Sequence, residues 1–133
     1  MIDLSCLCGG VCVSLSARPD FLNECNCQLC RKSGARWGYF APQQVSLTGL
    51  TASYVRADKP DPGAEVHFCP TCGTTTHFTL TASAQAKHGN VVCGVNLRLA
   101  DDAQVRGIEL RFPDGAGYSG EGEVPYVREP LVL

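Results

Sequence analysis

The chain has 133 residues, with 11 Lys and Arg against 13 Asp and Glu, and so a formal net charge of −2 at pH 7. That length fits a single domain, and 44% hydrophobic with 18% charged residues describes a chain that can bury a core, not a disordered one. Near-neutral charge lacks the basic surface of a nucleic-acid binder, and no apolar run approaches the roughly 18 residues of a membrane span, so neither partner is expected.

In chain order, strand signals dominate. The opening Met1-Ile-Asp-Leu-Ser-Cys6 carries an acid and no basic region, so it does not read as a secretory leader, and a cytoplasmic location is expected. Leu4 to Cys8 and Val11 to Leu15 read as a hairpin about a two-residue Gly9-Gly10 turn, which pairs Cys8 with Val11 and Cys6 with Val13. Gln28 to Ser33 reads as one helical turn stopped by Gly34, and Trp37 to Ala41 as a strand ended by Pro42. Val45 to Thr48 and Thr51 to Arg56 resemble a second hairpin around Gly49. Asp58-Lys-Pro-Asp-Pro-Gly63 is a surface loop by its turn chemistry. Glu65 to Phe68, Thr75 to Leu80, Val91 to Asn96 and Ile108 to Phe112 read as strands. Thr81 to Lys87 fits a helix or a loop, and Asp101 to Val105 a turn or short helix. From Pro113 the chain is rich in Gly, Pro and Glu, which points to a tail packed loosely on a domain of residues 1–112. The whole is one mostly-β domain of short strands.

Cysteine is the outlier, with nine in the chain. Seven fall in three clusters: Cys6-Leu-Cys8-Gly, Cys25-Asn-Cys27-Gln-Leu-Cys30 and Cys69-Pro-Thr-Cys72-Gly. Cysteines two or three positions apart rarely bridge each other, because disulfide geometry is specific. The same spacings let two sulfurs converge on one tetrahedral ion, with Gly73 free to take the positive φ of a tight turn. Metal is therefore favoured over disulfide. A structural zinc takes four ligands, and Cys6, Cys8, Cys69 and Cys72 together make a closed all-thiolate site. Cys25, Cys27 and Cys30 offer three sulfurs and no evident fourth, the pattern of a catalytic zinc with one exchangeable position. Other groupings of the cysteines can be drawn; this one closes distant parts of the chain and leaves the triad self-contained. Cys12 and Cys93 are left over and read as buried packing residues.

At these cysteines the chain resembles a known family. The order Cys6-Leu-Cys-Gly9, then Cys25 to Lys32, then Phe68-Cys-Pro-Thr-Cys-Gly-Thr74 is similar to that of glutathione-dependent formaldehyde-activating (GFA) enzymes, also called CENP-V/GFA domains. The resemblance covers roughly residues 4–112. It implies a β-tent fold of short antiparallel strands with zinc at both sites, two ions per chain; the triad, being an open site, is the one that can lose its ion. Carried over, Cys6, Cys8, Cys69 and Cys72 hold the structural zinc, and Cys25, Cys27 and Cys30 the catalytic one. The activity implied is condensation of formaldehyde with glutathione to S-hydroxymethylglutathione, a carbon–sulfur lyase reaction in reverse. The small-molecule partners implied are thus a thiol, glutathione or one like it, and an aldehyde. Two positions depart from the family pattern. Asn26 stands where many members have His, and Pro113 to Leu133 offers only Tyr118 and Tyr126 as aromatics.

A zinc held by three thiolates is electron-rich, suited less to making hydroxide than to holding an incoming thiol as its reactive thiolate. Arg31 and Lys32, with Arg36, follow the triad closely and suit the carboxylates of such a substrate; balancing thiolate charge is the plainer role. Trp37, Tyr39 and Phe40 suit a pocket wall or the core. His67 is a candidate partner for the four-cysteine site and His77 a fourth ligand or proton carrier at the triad, although a structural histidine is the commoner case for each. The contrasting function is a non-catalytic zinc-stabilised interaction module on the same fold. Arg outnumbers Lys by 8 to 3, a composition that suggests a GC-rich bacterial genome.

Overall fold

Stretches of three to seven residues, most of them alternating inward and outward side chains and separated by turn residues, become the strands of two sheets. The computed structural model describes residues 1–133. Its elements are β1 (Ile2–Ser5), β2 (Cys12–Leu15), β3 (Phe21–Asn23), α1 (Gln28–Ser33), β4 (Trp37–Phe40), β5 (Val45–Thr48) and β6 (Ala52–Val55). There follow β7 (Ala64–Phe68), β8 (Thr75–Leu80), α2 (Ala82–His88), β9 (Cys93–Asn96), α3 (Asp102–Val105), β10 (Glu109–Pro113) and β11 (Tyr126–Val132). A three-stranded sheet runs β1-β2-β5, and an eight-stranded sheet runs β11-β10-β3-β4-β9-β8-β7-β6. Every pairing is antiparallel except β3 with β10. The protein is mostly β, as its composition and patterning predict.

The first hairpin forms with a different register from the expected one. Ile2 pairs with Leu15, Leu4 with Val13 and Ser5 with Cys12, so residues 6–11 are loop. Within a strand, sulfurs at i and i+2 would stand about 6.6 Å apart. The loop instead wraps around Cys6: its amide donates to Val11 O, and its carbonyl accepts from the Gly9 amide. This brings the Cys6 and Cys8 sulfurs to 3.6 Å. Cys12 lies on the face of β2 opposite the buried Val13 and Leu15, and that face is open to solvent. Cys12 is exposed, with its thiol against Gly9 O, so the expectation that it packs in the core is corrected; Cys93 is buried as expected.

The Gly49 hairpin does not form. β5 pairs with β2 in the smaller sheet, while β6 pairs with β7 in the larger one. Gly49 is where the chain passes from one sheet to the other. Its φ is +93°, and a Cβ there would lie 2.0 Å from Gly10 O, so only glycine permits the backbones to approach this closely. The C-terminal segment also differs from the loose tail expected beyond residue 112. β11 pairs antiparallel with β10 from Glu109–Val132 to Pro113–Tyr126 and forms the exposed edge of the larger sheet.

The main core lies between the two sheets. Ile2, Leu4, Val13 and Leu15 from the small sheet meet Leu22, Phe40, Val95 and Leu110 from the large one, with Leu97, Val105 and Ile108 closing one end. Alternation then sends the odd-numbered β4 residues, Trp37 and Tyr39, to the opposite face of the large sheet. There Phe78 packs edge-on against Trp37 at 5.0 Å between ring centroids, and Tyr39 lies 5.8 Å from Phe21. The short α1 begins at Cys27, whose sulfur accepts from the Cys30 amide, and ends at Gly34 with φ 70°. This is the helical turn expected over Gln28–Ser33. The open choice over Thr81 to Lys87 resolves as α2, capped by Thr81, and α3 follows a capping box of Asp101 and Gln104.

Candidate metal centres

The first cluster is built by two turns that meet. The β1–β2 loop supplies Cys6 and Cys8; the turn joining β7 to β8 supplies Cys69 and Cys72. All four sulfurs lie within 4.8 Å of one another. Cys8 is 3.6 Å from both Cys6 and Cys69. A tetrahedral zinc at about 2.3 Å from each sulfur requires sulfurs roughly 3.8 Å apart, so the donor set fits such an ion. Backbone and hydroxyl donors brace the sulfurs: the Val11 amide donates to Cys6 Sγ at 3.2 Å, and Thr74 Oγ1 lies 3.1 Å from Cys72 Sγ. That Thr74 contact, then the Thr74 amide, lowers the Cys72 thiol to about 5. A thiol of that kind readily releases its proton, leaving the thiolate that a metal binds. Gly73 takes φ +76°, as the turn requires.

The second cluster is Cys25, Cys27 and Cys30, whose sulfurs also lie within 4.8 Å of one another. No His, Asp or Glu joins them within that distance. The Cys27 amide donates to Cys25 Sγ and the Cys30 amide to Cys27 Sγ, each at 3.4 Å, and Trp37 Nε1 donates to Cys30 Sγ at 3.3 Å. Three thiols at this spacing cannot all ionise freely. Hydrogen bonding from Cys25 and Cys30 holds Cys27 far below the ordinary thiol range, while the neighbouring Cys25 and Cys27 sulfurs push Cys30 far above it. Without a cation the triad is electrostatically frustrated, and a divalent ion relieves it. Two clusters that can hold metal ions are therefore present, each with a donor set compatible with zinc.

The C-terminal segment covers one side of the triad, a feature the sequence pattern did not reveal. Asn26 Nδ2 donates to Asp114 Oδ1 at 2.8 Å, and the Ala116 amide donates back to Asn26 Oδ1 at 2.9 Å. The amide side chain between the first two triad cysteines thus pins the loop after β10. Between these bonds Gly115 lies so close that a Cβ would stand 2.3 Å from Cys25 Sγ. Arg56, fixed by a bidentate contact to Asp58 at 2.7 and 2.8 Å, faces Cys27 and contributes to lowering it. Sequence distance hid both Arg56 and the Asp114 loop.

The expected neighbours divide. Arg31 lines a cavity of about 410 Å³ that also contains Cys25, Cys30, Arg98 and Arg128. Lys32 bonds to Gln28 Oε1 and lines a different hollow with Tyr54 and Asp58. Arg36 is paired with Glu24 at 3.3 Å. Trp37 and Tyr39 face the triad side, whereas Phe40 is in the core. Burial, then the triad sulfurs, push the Tyr39 phenol up to about 12, partly opposed by the Asn23 amide that donates to its oxygen at 3.0 Å. His67 has both ring nitrogens on threonines, Thr51 at 3.1 Å and Thr79 at 3.0 Å, and is not held against the four-cysteine cluster. His77 stacks on His67 at 4.3 Å and bonds Thr76 at 2.9 Å, apart from the triad donor set. Both are structural histidines.

A mostly-β domain with one four-cysteine and one three-cysteine cluster, each able to hold a metal ion, defines a small cysteine-rich class. Within it, the chain belongs to the glutathione-dependent formaldehyde-activating enzyme (GFA) family, whose profile matches residues 1–106. A crystal structure of a Rhodobacter sphaeroides protein, a structural-genomics target, is similar with a TM-score of 0.59 and 23% identity, over 75% of this chain and 88% of that one. That likeness speaks for the fold. No match is found among curated proteins.

Proposed function

We propose that the protein is a zinc-dependent enzyme of carbon–sulfur lyase type acting on thiol–aldehyde adducts, as an S-hydroxymethylglutathione synthase does. In this reading Cys6, Cys8, Cys69 and Cys72 hold a structural zinc, and Cys25, Cys27 and Cys30 a catalytic one. The observation that carries it is a trio of sulfurs without a fourth protein ligand, opening on a cavity. When bound there, zinc supplies a cationic position for the substrate sulfur, favouring its thiolate form.

The chain's own groups account for the rest. Amide donors to Cys25 and Cys27 and the indole donor to Cys30 fix the direction of each sulfur that would hold the ion. Addition of a thiolate to an aldehyde forms one carbon–sulfur bond and moves the carbonyl electron pair to oxygen, which then takes up a proton. Tyr39 retains its proton through neutral pH and, with Asn23 donating to its oxygen, has its O–H free to supply it. Beyond thiolate formation and proton supply, the contribution asked of the site is proximity of the two reactants.

The test is nuclear magnetic resonance exchange spectroscopy of glutathione with formaldehyde on protein carrying two zinc ions. Exchange should accelerate with the wild type and lose that acceleration with Cys27→Ser of unchanged fold. Equal exchange with both proteins would end the lyase reading.

A further inference from the structure

Six ion pairs organise the charged side chains, and Arg31 and Arg128 belong to none of them. Both line the cavity beside Cys25 and Cys30. Glu24, the acid in that cavity, is already shared between Arg36 at 3.3 Å and Arg98 at 2.7 Å. The cavity therefore holds two cations with no carboxylate partner, beside the sulfurs of Cys25 and Cys30. They come from different elements: Arg31 is an exposed residue of α1, and Arg128 belongs to the edge strand β11, opposite Phe112 in the register. The Arg128 guanidinium lies 3.7 Å from the centre of the Phe112 ring. Stacking of this kind holds the planar group in one orientation while leaving its N–H edges free. Phe112 and Arg128 lie beyond the residues 1–106 that the family profile matches.

We propose that this cavity binds the carboxylates of a di-acidic thiol, with Arg31 and Arg128 as the specificity-determining pair and the triad receiving the sulfur end. The proposal rests on the thiol–aldehyde reading for the class of ligand and adds how this chain would select within it. Two guanidinium groups carried by different elements give two forks, each able to take one carboxylate of a peptide-like thiol. A volume of about 410 Å³ lies within the usual range for small-molecule sites. A neutral thiol would reach the triad without gaining from either arginine. The C-terminal strand, which leaves the triad sulfurs untouched, would then decide which thiol is used.

The experiment uses S-methylglutathione, which keeps both carboxylates and has no free thiol, titrated calorimetrically into the zinc-loaded protein. Arg128→Gln and Arg31→Gln should each weaken binding about tenfold, with Arg128→Lys recovering part of the loss. The dimethyl ester of the same ligand should bind no more tightly to the wild type than to the variants. Retention of four-cysteine metal and of the circular dichroism spectrum would establish that the variants are folded. Unchanged affinity in both glutamine variants, or equal binding of the ester, would overturn the proposal. The two readings fail separately. Arginine-dependent binding without accelerated adduct exchange would remove the lyase reading and leave the cavity assignment standing. Accelerated exchange with arginine-independent binding would do the reverse.

Discussion

Gly115 has no side chain where one would meet the Cys25 sulfur. A Cβ would stand 2.3 Å from that atom and 3.2 Å from Cys27 Cβ, with the surrounding loop held by Asn26 on both sides. Gly115→Ala should therefore displace either the loop or Cys25, and metal analysis should read a fall from two ions per chain toward one. The Cys6–Cys72 cluster, built from other turns, should keep its ion. Trp37 acts on the same triad from the other side through its indole N–H to Cys30. Trp37→Phe preserves most of the packing against Phe78 and removes that donor. Loss of such an outer hydrogen bond should weaken the triad's metal affinity about tenfold to a hundredfold, measured by competition with a chromogenic chelator.

Among the elements, β8 carries the group with the clearest pH consequence. His77 is 3% exposed and stacked on His67, and burial, followed by the His67 charge, lowers it to about 4. The unfolded chain, with an ordinary histidine near 6.5, takes up the proton first as pH falls. Stability contributed by neutral His77 is thus complete above pH 6.5 and is lost between about 6.5 and about 4. The loss is on the order of 3 kcal/mol. His77→Gln should flatten that part of the denaturant-midpoint curve, and acid loss of metal, common to both proteins, cancels in the comparison. An unchanged difference between the two proteins across this range would contradict the assignment. The element β11 shows a different dependence on context. Every one of its residues is exposed, so no inward stripe marked it as a strand; it forms because β10 offers an unpaired edge.

On the scale of the whole molecule the two clusters differ in the length of chain each joins. Cys8 and Cys69 are separated by 61 positions, so an ion at the first site closes a long loop between the two sheets. By loop-closure arithmetic such a link contributes on the order of 4 kcal/mol. The triad spans only Cys25 to Cys30 and closes almost nothing. Cys69→Ser should lower the thermal midpoint by about 10–20 °C, whereas Cys27→Ser should leave it within a few degrees. Differential scanning calorimetry of both variants separates the roles. Equal losses would show that the triad, too, is structural.

How far the residues alone could be read follows from the range of the forces involved. The α1 turn was legible because Cys27 and Gly34 cap it locally, and most strands because two-residue alternation is a local signal. Cysteine spacing likewise marked both clusters, since each pair or triad converges within one turn. The Gly9-Gly10 register was misread because the demand of two sulfurs for one ion outweighs turn propensity. The Gly49 hairpin was misread because its two strands find better partners in separate sheets.

The sequence by itself determined the nine cysteines' division into four, three and two, the mostly-β character and the family, all of which rest on residues close along the chain. Only the tertiary structure decided what surrounds the triad: Asn26 holding the Asp114 loop, Arg56 facing Cys27, and Arg128 brought beside Arg31. These neighbourhoods bring together residues up to 97 positions apart, Arg31 and Arg128 in one cavity, and are set by sheet order and edge pairing, which no local pattern encodes.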